Sequence, residues 1–149
     1  MPIRQAFSTP LYYVKPKEDE YHLIQEELMN VHENTDYKLP NYFPKSGSHS
    51  LTPNPFESNI IVDNKCSNFL DFLEESLSEY IETITGGGEF GYEIQESWFT
   101  KTLNGKYAHE HHHGYADISG VYYINTNSED GNLVFDNIHS QMAGNYIFA

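Results

Sequence analysis

Residues 92–113 read YEIQESWFTKTLNGKYAHEHHH, and the way this stretch folds decides the class of the whole chain. Residues 92–103 alternate well enough for a strand. Asn104-Gly105 is the strongest short-range hairpin signal, and residues 106–113 form the return strand. Side chains two apart on a strand share a face, so His109, His111 and His113 point one way and Glu110 and His112 the other. Neutral imidazoles at i and i+2 can both reach one cation, with metal–nitrogen distances of about 2.0–2.1 Å for zinc-like ions. Gly114, directly after the cluster, permits a sharp turn or the close approach of a ligand. The competing reading is a histidine-rich surface that takes up metal adventitiously.

Toward the C-terminus, ISGVYYIN (118–125), NLVFD (132–136) and NYIFA (145–149) read as further strands. TNSEDG (126–131) supplies a turn between the first two. Short strands at close intervals predict an all-β core of the sandwich, jelly-roll or barrel kind. Toward the N-terminus the chain changes character near residue 85. In residues 18–35 the apolar positions Tyr21, Ile24, Leu28 and Val31 recur at three- and four-residue steps and make one helical stripe. Residues 66–84 repeat the pattern with Phe69, Leu70, Leu73, Leu77, Tyr80, Ile81 and Ile84. Ser67 or Asn64 caps this second helix, and the glycines at 86–88 end it. Residues 39–59, dense in Pro, Ser and Asn, read as a long loop, with a short strand at NIIVD (59–63). The expectation is one α+β domain over 1–149. Residues 1–88 carry an N-terminal strand and two helices packed outside, and residues 89–149 the β core.

Composition narrows the function. Eight Lys plus Arg against 22 Asp plus Glu give a formal charge of -14, which disfavours nucleic acid because phosphate neutralisation supplies most of such affinity. No apolar run approaches the roughly 20 residues that cross a bilayer, and the opening residues lack an apolar signal core. Cys66 is the single cysteine and cannot form an internal disulfide. Together these point to a cytoplasmic protein with no membrane partner.

Residues 96–137 resemble a family of iron(II)- and 2-oxoglutarate-dependent oxygenases common in marine bacteria and their phages. The motifs that carry the resemblance are Trp98, Gly105, His111-His112-His113, Ser119-Gly120-Val121-Tyr122-Tyr123 and Leu133-Val134-Phe135-Asp136-Asn137. FSTPLYYV (7–14) also looks like the family's opening strand. The resemblance implies a double-stranded β-helix, jelly-roll or cupin-like, with flanking helices. It makes His111 the first iron ligand and His113 the second, where related enzymes place a carboxylate. Asp117 is the alternative carboxylate, and His109 and His112 are exposed or supporting. Iron(II) and 2-oxoglutarate as cosubstrate are implied with it, and Tyr107 and Tyr123 would contact the cosubstrate.

The chain departs from the family pattern after GNYIFA (144–149), where a distal His and a cosubstrate-binding Arg are expected. His139 lies too early to replace the first, and Arg4 is the single arginine. The β-helix is therefore expected to be incomplete at its C-terminus, and its open sheet edge invites pairing with a second copy. The activity expected is hydroxylation of an unidentified substrate, with iron held weakly and turnover poor or absent in this form because the site has two ligands. The rivals are a non-catalytic β-helix module for binding or assembly, and a cupin-like metalloprotein holding zinc, nickel or manganese.

Overall fold

The computed structural model describes residues 10–39, 59–88, 91–108, 111, 113, 116–127 and 129–135. Its regular elements are three helices: α1 (Glu18–Glu33), α2 (Ile60–Asp63) and α3 (Ser67–Thr85). The two long ones lie where the apolar period placed them. Helix α1 opens on an acidic first turn, Glu18, Asp19 and Glu20, which complements the positive end of the helix dipole. The Glu20 carboxylate reaches back to accept from the Lys17 N–H (3.3 Å) and the Lys17 ammonium (2.9 Å). Ile24 and Leu28, one turn apart, are fully buried, and burying such a side chain is worth roughly 1.5–3 kcal/mol.

The core gathers Ile24 and Leu28 of α1, Ile60 and Ile61 of α2, Cys66, Phe69 of α3, and Phe99 from the segment after α3. Tyr122 joins it edge-on to Phe69, ring centres 4.9 Å apart. The Gln25 amide of α1 also donates to the Ile124 carbonyl. Helix α3 ends as expected: Gly86 takes a left-handed φ of 77° that a Cβ would strain, and its N–H bonds the Glu82 carbonyl at 2.9 Å.

Helix α2 corrects the strand expected at 59–63. Ile60 and Ile61 are both buried, and a strand would have sent these neighbours to opposite faces. One helical turn keeps both on the core side. It closes in a Schellman motif, with Lys65 N–H bonded to Val62 O (3.0 Å), Cys66 N–H to Ile61 O (2.9 Å) and Lys65 in the left-handed region at φ 53°.

The start of α3 differs as well. Neither Ser67 nor Asn64 caps it. Cys66 occupies the cap position without a side-chain bond, and Glu27 of α1 does the work from across the interface. Its carboxylate accepts from the Phe69 N–H (3.0 Å), the Asn68 N–H (3.2 Å) and the Asn68 side chain (3.2 Å).

The double-stranded β-helix is overturned. Among the described residues there is no strand, and pairing is confined to isolated bridges, of which Asn59 with Ser97 is parallel. The turn at 104–105 does form, with the Lys106 N–H bonded to the Leu103 carbonyl at 2.9 Å. Only Gly105 has positive φ there, 72°, as in a type II turn. A two-residue hairpin with matching strand twist needs positive φ at both central residues, or at the first. The flanking segments accordingly turn back without zipping into a ladder.

Alternation survives in part: Tyr122 and Ile124 pack inward while Val121 and Tyr123 face out. Helices, not a second strand, receive the inward residues. The expected strand at 145–149 lies outside the described residues, as do the first residues of the opening strand and the last of 132–136. No helix among the described residues is long and apolar enough to cross a membrane.

Candidate functional site

The stretch that leads to the histidines is tied to the helical body around Asn59. Asn59, just before α2, donates from its side chain to the Ile94 carbonyl (2.6 Å) and accepts from the Ser97 hydroxyl (2.6 Å). The same hydroxyl accepts from the Ile61 N–H (3.1 Å), and the Ser97 carbonyl from the Ile60 N–H (2.9 Å). Two residues on, Phe99 is buried in the core. Trp98 is thus held between two anchors while its own side chain is only half-buried.

That indole meets His113, with ring centres 5.5 Å apart and planes tilted by 32°. His113 in turn meets His111, ring centres 5.0 Å apart and planes at 77°. Both histidines are exposed. The Ala116 N–H bonds the His113 carbonyl at 3.2 Å. In a metal-bound imidazole the ring centre is about 3.2 Å from the ion. Two such rings on adjacent positions, roughly 90–110° apart, have centres separated by about 4.5–5.2 Å. The observed 5.0 Å lies in that range, and equally in the range of an ordinary edge-on contact between two rings.

Among the described residues no group of three His, Cys, Asp or Glu side chains is arranged to hold an ion. Asp117 stands exposed in a bend and does not complete such a group. His109, His112 and His139 lie outside the described residues, as does Arg4. Tyr107 and Tyr123 are each about half exposed, at 52% and 50%, and neither sits on a strand.

Elsewhere the perturbed groups are structural. The Cys66 thiol is raised by burial first and by the Glu27 carboxylate second. Tyr37, bonded to His32 Nδ1 at 2.7 Å, is pushed up to about 12 by burial.

Sequence reasoning found the histidine pair but gave Trp98 no role in it. Trp98 and His113 lie 15 positions apart, beyond the reach of any local period. The alternation around Trp98 identified a face, not a neighbour.

No curated protein and no solved structure matches this chain. Residues 96–147, the stretch that contains Trp98, His111 and His113, match the family model described as "Putative 2OG-Fe(II) oxygenase", so the resemblance read from the motifs holds over this C-terminal part of the chain.

Proposed function

We propose that the chain is a non-haem iron(II)- and 2-oxoglutarate-dependent dioxygenase in which His111 and His113 supply two adjacent ligands to the metal. The observation that carries this reading is the 5.0 Å separation of the two imidazoles within the segment that matches the family model. When bound, iron(II) with 2-oxoglutarate supplies the oxidising power to hydroxylate a C–H bond with dioxygen, releasing succinate and carbon dioxide.

The chain's own part is to hold and expose. Imidazole is a good donor for iron, and both rings are exposed, where a substrate has access. Tyr107 and Tyr123 are each about half exposed, and a phenol hydroxyl is able to donate a hydrogen bond to a 2-oxoglutarate carboxylate oxygen.

Anaerobic loading followed by elemental analysis tests the ligands. Wild type should retain iron, and the His111→Ala, His113→Ala double variant should lose it. Succinate release from 2-oxoglutarate tests the chemistry. A wild-type protein that takes up no iron, or takes it up and never yields succinate with any C–H donor offered, would refute the reading.

A further inference from the structure

We infer that Trp98 is a positioning residue for the metal site, restricting the His113 imidazole by packing against its ring. The inference rests on the ligand assignment proposed above and extends it to a residue that coordinates nothing.

Three observations converge on Trp98. Its backbone is pinned on both sides, by the Ser97–Asn59 hydrogen bonds and by the buried Phe99. Its ring lies 5.5 Å from that of His113 with the two planes tilted by 32°, a separation within the usual range for aromatic pairs. The third is the 77° between the planes of His113 and His111, which sets the two rings edge to face. An imidazole binds a metal through a nitrogen lone pair in the plane of its ring, whereas the indole N–H is a donor only and offers the ion nothing. The indole can therefore restrict rotation of His113 without becoming a ligand itself. A ring held in its binding orientation loses less freedom when the ion arrives, which raises affinity without adding a bond to the metal. His113 is exposed, so the packed core does little to restrain it. The anchored indole adds a restraint to the contact with His111.

Trp98 is the single tryptophan of the chain, so its fluorescence reports this site alone. Anaerobic iron(II) titrated into wild-type protein should quench that fluorescence with the same midpoint that equilibrium dialysis gives. Trp98→Phe, which keeps an aromatic face, should bind iron(II) within about twofold of wild type by dialysis. Trp98→Leu keeps apolar bulk but no ring, and should bind about three- to tenfold more weakly with an unchanged far-ultraviolet circular dichroism spectrum. Wild-type affinity in Trp98→Leu, equal weakening in the Phe and Leu variants, or iron binding without quenching would each overturn the positioning role. The His111→Ala, His113→Ala variant separates the two claims. If it loses iron while Trp98→Leu does not, the ligands stand and only the positioning role fails. If it binds iron as wild type does, the ligand assignment fails and takes the positioning role with it.

Discussion

Glu27→Ala should destabilise the protein by about 1–3 kcal/mol, although Glu27 lies in the middle of one helix and the damage falls on another. The first turn of α3 has four backbone N–H groups that its own helix cannot satisfy. The Cys66 N–H is taken by Ile61 O, and those of Asn68 and Phe69 by the Glu27 carboxylate. Losing a cap costs about 0.5–2 kcal/mol, and losing a negative charge at a helix N-terminus a further 0.3–1 kcal/mol or so. The change cannot act by weakening α1 itself, because alanine is the better helix former. Glu27→Gln keeps an acceptor oxygen but no charge and should lose only about 0.5–1 kcal/mol. Urea unfolding with a common slope measures both. A Glu27→Ala midpoint indistinguishable from wild type would refute the inter-helix cap. A Glu27→Gln variant as weak as Glu27→Ala would refute the division between bond and charge.

Lys65→Gly should stabilise the protein by roughly 0.5–1 kcal/mol, because Lys65 holds φ 53° at the position where a Schellman motif favours glycine. A lowered urea midpoint would show that the lysine side chain contributes more than its backbone strain costs. Alkaline stability should depend on Tyr37, pushed up to about 12 in the folded protein against about 10 in an unfolded chain. The folded state holds the phenol proton more tightly. This contribution is therefore complete below about pH 10 and is lost as pH rises through about 12. Tyr37→Phe should flatten the fall of thermal midpoint across that window, and an unchanged slope would show that Tyr37 does not carry it.

The sequence by itself determined the two long helices, the glycine stop at Gly86 and the turn at Asn104-Gly105. All of these rest on interactions between residues a few positions apart. A helix bonds within itself, so the period of Ile24 and Leu28 is enough to locate it. A strand is completed by a partner elsewhere in the chain. The alternation of Val121, Tyr122, Tyr123 and Ile124 marked an inward and an outward face, but could not say whether a strand or a helix would meet the inward one. Tertiary structure sent Tyr122 against Phe69, made Asn59–Asp63 a helix start instead of a strand, and lent Glu27 to α3 as its cap. It also set Trp98 against His113. Each of these joins residues brought together by packing across 15 positions or more, where no local period carries information.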